Sequence, residues 1–302
     1  MRNGLPVGTD VMIESCYHGT NLSSVQQNPT SARSDTVVRM RIVNWNVNSI
    51  RARAERVGAW LDRSDADVLA IQELKCKDTQ FPREIFDDRG YEVAFHGLNQ
   101  WNGVAIASRV GLEDVEIGFD DMPGFGEDLA SEARAISAVT GGVRVYSLYV
   151  PNGRELDHPH YTYKLQWLEA LRAVAAARLA ADKDEKFVLT GDFNIAPLDE
   201  DVWDIDAFAG ATHVSPPERA AFQALLDAGL IETTRPLAPG PAVYTYWDYQ
   251  KLRFPKKEGM RIDFQLASPA LAPTAAAAMI DREERKGKGA SDHAPVIVDY
   301  DV

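Results

Sequence analysis

Short runs of apolar residues alternate along most of the chain with segments that carry apolar residues on one helical face. Residues 41–46 (RIVNWN) have the pattern of a strand, and residues 68–71 form a continuous apolar run bounded by polar residues, which is typical of a strand buried on both faces. Val57, Trp60 and Leu61 follow the i, i+3, i+4 spacing of an amphipathic helix. The pattern therefore predicts strands and helices in alternation.

The same pattern continues to the end of the chain. Further strands are predicted at residues 91–95, 103–108, 135–139, 143–150, 186–190, 261–267 and 295–298. Longer helices are predicted at residues 161–181 and 218–228. No low-complexity linker interrupts residues 40–302, so we expect one α/β or α+β domain with about ten strands.

The first 39 residues differ from the rest in composition. Residues 19–36 are rich in Ser, Thr, Asn and Gln and show no hydrophobic period, and no apolar run is long enough for a signal peptide. We therefore expect residues 1–39 to be a disordered N-terminal extension. Met40 stands directly before the first predicted strand and would be a natural start for the folded domain.

Composition and charge narrow the possible functions. The 302 residues include 32 Lys and Arg against 45 Asp and Glu, a net charge of −13, which disfavours a general basic surface for nucleic acid but leaves room for a local basic cleft. The longest weakly charged apolar stretch, residues 271–280, is too short for a membrane span, which needs ~20 residues. Two cysteines give no disulfide framework, and we expect a cytoplasmic protein.

Polar side chains are concentrated where predicted strands end. Glu73 and Asp192 each follow an apolar strand, so their carboxylates would be held at a sheet edge. The other polar residues at strand ends are Asn46, Tyr149, Asn152, Asn194, Asp263, Asp292 and His293. Carboxylate and amide oxygens suit Mg²⁺ or Mn²⁺ better than zinc, and converging carboxylates repel one another unless a cation or a proton lies between them.

Each of these residues also has a simpler interpretation. Asn46 is a common turn former, and Asp192 with Asn194 has the spacing of a turn or a helix cap. Asp292 and His293 fit an exposed loop equally well. Motifs of other chemistries (GxxxxGK[ST], GxGxxG, HExxH and GxSxG) do not occur in the sequence. The repetition at successive strand ends is what favours a functional site.

Seven segments of the chain, in order, resemble the signature motifs of the exodeoxyribonuclease III family of abasic-site endonucleases. They are WNVNSIRAR (45–53), ADVLAIQELK (66–75), LYVPNG (148–153), GDFNIAP (191–197), YTYWDY (244–249), RIDFQLAS (261–268) and SDHAPV (291–296). GDxN and SDHxP are typical of the whole endonuclease/exonuclease/phosphatase superfamily, whereas QExK, the arginine-bearing loop and YWDY indicate its DNA-repair branch. Leu74, where Thr is usual, and Tyr246, where Trp or Phe is common, depart from the pattern.

The resemblance implies a fold and an activity for residues 40–302. The fold would be α+β, a four-layer DNase I-like sandwich with two packed mixed sheets between helices. The activity would be metal-dependent incision of duplex DNA 5′ to abasic sites, with 3′→5′ exonuclease and 3′-phosphatase activity on blocked 3′ ends. The cofactor would be Mg²⁺ or Mn²⁺, and we expect a monomer that does not bind a membrane. Another superfamily phosphodiesterase, such as a general DNase or an inositol-phosphatase-like enzyme, and a catalytically dead DNA-binding protein are the alternatives.

The resemblance also implies roles for individual residues. Asp192 would orient or deprotonate the attacking water, His293 would contact the scissile phosphate, and Asp263 would hold the other nitrogen of that imidazole. Tyr149 would donate a proton or a hydrogen bond near the leaving group, and Asn194 would donate to the nucleophile or a phosphate oxygen. The implied metal ligands are Asn46, Glu73, Asp192, Asn194, Asp292 and His293.

A further group of residues is implied to bind DNA. Tyr246, Met260 and Ile262 would line the pocket that accepts a sugar without a base. The remaining candidates for DNA contacts are Arg51, Arg53, Lys75, Asn152, Trp247 and Arg261. The simpler interpretation is that the charged residues are solvated and the aromatic residues belong to the core.

Overall fold

A computed structural model of the protein describes Met1 and residues 38–126 and 131–302. Val37–Val302 form one compact unit. Its strands are β1 (Arg39–Asn46), β2 (Val68–Gln72), β3 (Glu92–His96), β4 (Val104–Ser108), β5 (Glu113–Ile117), β6 (Ala135–Thr140), β7 (Val143–Tyr149), β8 (Phe187–Asp192), β9 (Ile231–Glu232), β10 (Asp263–Ala267), β11 (Ala275–Ile280) and β12 (Val296–Asp301). Its α-helices are α1 (Ile50–Ser64), α2 (Glu84–Asp87), α3 (Pro159–Ala181), α4 (Pro216–Asp227), α5 (Thr234–Leu237) and α6 (Arg253–Lys256).

The strands form two mixed sheets of six. The first has the order β11-β12-β1-β2-β4-β3 and the second the order β5-β6-β7-β8-β10-β9. Each sheet contains one parallel pair, β1 with β2 and β7 with β8, and its other pairs are antiparallel. The strands predicted from the sequence are all present, and the prediction of two mixed sheets flanked by helices is confirmed.

Three apolar clusters hold the layers together. Between the sheets, Ile42 and Val68 of the first sheet belong to one buried cluster with Val145 and Val188 of the second. Trp60 of α1 packs outside the first sheet, where its ring lies 5.6 Å from that of Trp45. Residues of α3 and α4 cover the outer face of the second sheet in the third cluster. Burying both faces of both sheets explains why their strands are nearly continuous apolar runs.

Three strands were not predicted, and their sequences show why. All five residues of β5 (EDVEI) are exposed at a sheet edge, so they lack the apolar alternation of a half-buried strand. β11 (AAAAMI) is also an edge strand, and alanine is a poor strand former. β9 has only two residues. The predicted disorder of residues 1–39 falls almost entirely outside the described residues.

The two parallel pairs place the polar strand ends at one edge of the sandwich. Asn46 at the end of β1 is paired with Gln72 at the end of β2, directly before Glu73. In the second sheet Asp192 lies between its two register partners, Tyr149 of β7 and Asp263 of β10. Among the described residues, no helix has the length and apolar character needed to cross a membrane.

Candidate active site

Glu73, Asp192 and His293 form the centre of this edge. One ligand atom from each lies within 4.8 Å of the others, and all three residues are buried. The amide nitrogen of Asn46 donates to Glu73 Oε1 at 2.7 Å and to Asp192 Oδ2 at 3.0 Å. The structure therefore brings together a carboxylate from each sheet and bridges the two with one amide.

His293 is held from behind by Asp263. Its Nδ1 lies 2.9 Å from Asp263 Oδ2, and its Nε2 lies 3.7 Å from Asp192 Oδ2. The Thr245 hydroxyl donates to the same Asp263 oxygen and accepts from the Asp263 backbone N–H. The imidazole is thus fixed with Nε2 directed towards the centre of the site, the orientation that an acidic partner gives to a catalytic histidine.

Burial and charge shift the pKa values of this pair strongly. Burial disfavours the imidazolium, but Asp263 and Asp192 outweigh it and raise the pKa of His293 to about 10. Burial also raises the pKa of Asp192 to about 7; Asp263 and Glu73 add to that rise, and His293 opposes it. A carboxylate that holds a proton near neutral pH marks a place where a cation would be bound favourably.

Lys75 compensates part of the negative charge. Its ammonium lies 2.7 Å from Glu73 Oε2 and donates to the side-chain oxygen of Asn48. Asn48 in turn donates to Asp292 Oδ1 at 3.0 Å, which ties Asp292 to the site. Burial tends to raise the pKa of Glu73, but Lys75 and Asn46 outweigh it, so the pKa lies below its ordinary value. Glu73 is therefore an anion that can bind a metal.

Tyr149 faces Glu73 from the end of β7. The Arg134 guanidinium lies 4.8 Å from the centre of its ring. Burial, and then the charge of Glu73, raise the pKa of the Tyr149 phenol well above its ordinary value, against the effect of Arg134. The phenol is therefore protonated and is a hydrogen-bond donor to the site.

Asn194 is surrounded by protein partners. Its Nδ2 donates to the backbone oxygen of Val150 at 2.9 Å, and its Oδ1 accepts from Asn152 Nδ2 at 3.1 Å. The same oxygen lies 3.2 Å from His213 Nε2. Both ends of the amide are therefore engaged by protein partners, and the role of Asn194 as a metal ligand stays a prediction. The Oδ1 atom of Asn46 accepts from the Asn48 N–H at 3.0 Å, and the role of Asn46 as a metal ligand also stays a prediction.

His213 also lies at this site, although it was not among the residues predicted from the sequence. Burial, and then the charge of Lys164, lower the pKa of His213 to about 4, so its imidazole is neutral. Its backbone has φ 75°, a left-handed conformation that is strained for a residue other than glycine. Glu73 (φ 55°) and Lys75 (φ 51°) share that feature, so unfavourable backbone geometry is concentrated around this site. The sequence carries no local signal for any of these angles.

A buried ion pair lies beneath Asn194. Lys164 of α3 is 0% exposed; its ammonium donates to the backbone oxygens of Asn194 at 2.6 Å and Asn152 at 3.2 Å, and to Glu218 Oε1. Glu218 also accepts from the backbone N–H of His213 at 3.0 Å. One ion pair thus connects three loops of the site. A single lysine on the apolar face of a predicted helix was the available signal.

A cavity of about 260 Å³ opens in front of these groups. Tyr246, Met260 and Ile262 form part of its wall beside Asp192 and His293. The rings of Tyr246 and His293 are 4.9 Å apart. The three residues implied to line a pocket for an abasic sugar are therefore brought together, next to the acidic centre.

The predicted DNA contacts divide into exposed and buried residues. Arg51 is exposed, and Lys75 is half-buried at the cavity. Arg53 donates to the backbone oxygen of Asn48 and to the Tyr249 hydroxyl, which holds the loop together.

Two of the predicted DNA contacts are wrong because they are buried. Arg261 is 2% exposed and donates to Thr234 Oγ1 at 2.9 Å. Trp247 is 1% exposed and packs against Tyr244 and Phe254. Neither side chain is available at the surface.

The donor set fits a hard divalent cation. Glu73 and Asp192 offer carboxylate oxygens, Asp292 is a third carboxylate at the same cavity, and His293 lies beside them with Nε2 directed into the same space. Burial, and then the neighbouring charges of Asp263 and Glu73, raise the pKa of Asp192, so a cation beside this carboxylate would favour its ionised form.

Comparison with known proteins agrees with the geometry. The model of the Endonuclease/Exonuclease/phosphatase family matches residues 43–293. Exodeoxyribonuclease III of Haemophilus influenzae is 30% identical over 278 residues, which are 86% of this chain and 100% of that protein.

Two solved structures have the same fold over 87% of this chain and 100% of theirs. A 3′ phosphatase from Neisseria bound to a product DNA hairpin is 38% identical with a TM-score of 0.82. An AP endonuclease from Archaeoglobus fulgidus is 36% identical with a TM-score of 0.81. The residues matched by the family, 43–293, lie within the compact unit described above.

Proposed function

The chain belongs to the endonuclease/exonuclease/phosphatase family, in its exodeoxyribonuclease III branch, and on that premise we propose that it is a DNA-repair nuclease that hydrolyses phosphate esters with a divalent metal ion. The observation that carries this proposal is the buried group of Glu73, Asp192 and His293 at the wall of a cavity, with Asp263 behind the histidine.

The proposed substrate is duplex DNA that contains an abasic site or a blocked 3′ end. The relatives are named for an exonuclease, a 3′ phosphatase and an AP endonuclease. Incision 5′ to an abasic site, removal of a 3′ nucleotide and removal of a 3′ phosphate all break the bond between phosphorus and O3′ and leave a 3′-hydroxyl. One site can therefore perform all three reactions, as base excision repair requires. The monomeric state and the cytoplasmic location stay predictions.

We assign the metal site to Mg²⁺, with Mn²⁺ as the alternative. Glu73, Asp192 and Asp292 would hold it, with His293 beside them. A bound Mg²⁺ would neutralise charge on the phosphoryl oxygens and promote ionisation of water. Lys75 would stay beside Glu73 and limit the charge that the cation has to balance.

Each residue of the site has its own role in the proposed hydrolysis. Asp192 accepts the proton of the attacking water, and its raised pKa suits a general base near neutral pH. His293, charged and held by Asp263, donates a hydrogen bond from Nε2 to a phosphoryl oxygen and keeps its proton as negative charge develops there. Tyr149 is protonated and gives its phenol proton to O3′ as that oxygen leaves; the phenolate regains a proton from solvent after release of the product. Asn46 keeps the two carboxylates in place throughout.

The test uses a duplex oligonucleotide with a single tetrahydrofuran site, incubated with Mg²⁺ or with EDTA. A second duplex carries a 3′-phosphate, and a third is undamaged. We expect incision at the tetrahydrofuran and loss of the 3′-phosphate with Mg²⁺ only, and no internal cleavage of the undamaged duplex. Cleavage of all duplexes at the same rate would instead indicate a general DNase, and no reaction on any of them would refute the proposal.

A further inference from the structure

A second cavity adjoins the active site. It has a volume of about 310 Å³, at the lower end of the range for small-ligand pockets, ~300–1,000 Å³. Trp203, Phe208 and Ala211 line it, and it shares His213, Tyr246 and Met260 with the first cavity. The two spaces are therefore neighbours across the width of one layer of side chains.

That shared layer connects the second cavity to the reacting centre. His213 Nε2 lies 3.2 Å from Asn194 Oδ1 on one side of it. On the other side the Tyr246 ring lies 4.9 Å from the ring of His293. A group bound in the second cavity would thus be separated from a phosphate held at His293 by the width of about one side chain.

The lining of the second cavity suits a flat aromatic group. The rings of Trp203 and Phe208 are 6.5 Å apart and inclined at 67°, and the Arg253 guanidinium lies 4.7 Å from the centre of the Trp203 ring. An ion pair with Glu258 holds Arg253 in place. Aromatic side chains and stacked arginines are the groups on which proteins stack nucleobases without regard to sequence.

The first cavity is a poor place for a base. Glu73, Asp192, Asp292 and Lys75 line it, so it is charged and suits a phosphate, a metal ion and a bare sugar. A 3′ phosphate or an abasic sugar brings no base to the enzyme, whereas an unmodified 3′ nucleotide does. That nucleotide needs additional apolar space beside the site, and the second cavity is of the right kind and in the right position.

We propose that the second cavity binds the nucleobase of a 3′-terminal nucleotide while the phosphate on the 5′ side of that nucleotide lies at Asp192 and His293. The inference rests on the proposed nuclease function and adds to it a subsite used by one class of substrate only. Removal of a 3′ nucleotide depends on this subsite, and removal of a 3′ phosphate does not.

The test fills the cavity in the full-length protein. Ala211→Phe places a ring in the second cavity, and Ala209→Phe, an exposed residue of the same loop outside the cavity, is the matched control. Two primers of one sequence are compared, one with an ordinary 3′ nucleotide and one with a 3′ phosphate. Ala211→Phe should lower kcat/KM for nucleotide removal by roughly tenfold, the scale of one lost base stack, and leave phosphate removal unchanged. Ala209→Phe should change neither.

A second variant keeps the inference open to refutation if Ala211→Phe folds poorly. Phe208→Ala removes one stacking ring, and it should also lower nucleotide removal selectively. Equal losses on the two primers, or no loss on either, would overturn the subsite. A wild-type protein that acts on neither primer with Mg²⁺ would refute the nuclease function itself, which is a different result.

Discussion

Replacing Lys164 with methionine tests whether the buried ion pair beneath Asn194 holds the active site together. The ammonium is 0% exposed and contacts Glu218 and the backbone oxygens of Asn152 and Asn194. Methionine has a similar length and fills the space, but it carries neither the charge nor the donors. The variant therefore leaves a buried carboxylate without its counter-charge and two backbone oxygens without their donor.

The expected loss of stability is large. Removing one partner of a buried pair costs about 3–5 kcal/mol, compared with a total of about 5–15 kcal/mol for a typical domain. At about 2–4 °C for each kcal/mol, the melting temperature should fall by roughly 6–20 °C. Glu218 still accepts from the Ser215 N–H at 3.2 Å and from the His213 N–H at 3.0 Å, which favours the lower part of this range.

Denaturant unfolding and turnover should be measured on the same preparations. Lys164→Arg, which keeps the charge, should recover part of the stability, and Lys183→Met, at an exposed lysine, should stay within about 0.5 kcal/mol of the wild type. Turnover on a tetrahydrofuran duplex at a temperature where the variant is folded should also fall, because Asn194 loses its support. A Lys164→Met protein that loses less than about 1 kcal/mol and keeps its turnover would refute the reasoning.

Four further outcomes are expected. Glu73→Gln should raise the Mg²⁺ concentration for half-maximal activity by roughly tenfold or more, because an anionic ligand becomes neutral; an unchanged Mg²⁺ titration would remove Glu73 from the metal site. Asp192→Asn should lower turnover by roughly 10²–10⁴-fold with little change in DNA affinity, and a wild-type turnover number would exclude it as the base. Tyr246→Ala should reduce discrimination between abasic and intact duplex and spare the Mg²⁺ dependence; full discrimination in a folded variant would mean that Tyr246 does not gate the cavity. Acid should destabilise the fold through His160, whose Nδ1 accepts from the Gly153 N–H at 3.1 Å and whose pKa burial lowers from 6.5 to about 4. As the pH falls, the unfolded chain binds this proton before the folded chain does. The stability present above pH 6.5 is therefore lost as the pH falls towards 4, by up to about 3 kcal/mol. Urea unfolding at pH 7 and at pH 4.5 should show a smaller loss of stability in His160→Gln than in the wild type.

The sequence predicted the parts of the fold that have a local cause. Apolar runs identified the strands that end at Asn46, Tyr149 and Asp192, and the polar residues at those ends identified most of the site. The strands that were missed lie at sheet edges, where exposure removes the apolar pattern that a buried strand needs.

The errors come from contacts between distant parts of the chain. Arg261 is buried because Thr234 and Glu232, which are distant in sequence, contact it. The residues near position 261 give no sign of these contacts. Trp247 follows Tyr246 in an extended segment, so the two side chains point in opposite directions, one to the cavity and one to the interior. The orientation of the Asn194 amide is also not evident from the sequence, because it depends on Asn152 and His213 in other loops.

The pairing of β1 with β12 joins the first strand of the compact unit to the last. Asn46 ends the first of these strands, and His293 stands just before the second, so the site closes only when both are in place. During synthesis, a chain that ends before His293 has Glu73 and Asp192 but not the histidine beside them. The catalytic group is therefore complete only after the segment from His293 onwards has been made, and a chain truncated before His293 should be inactive however much of its sheet structure it forms.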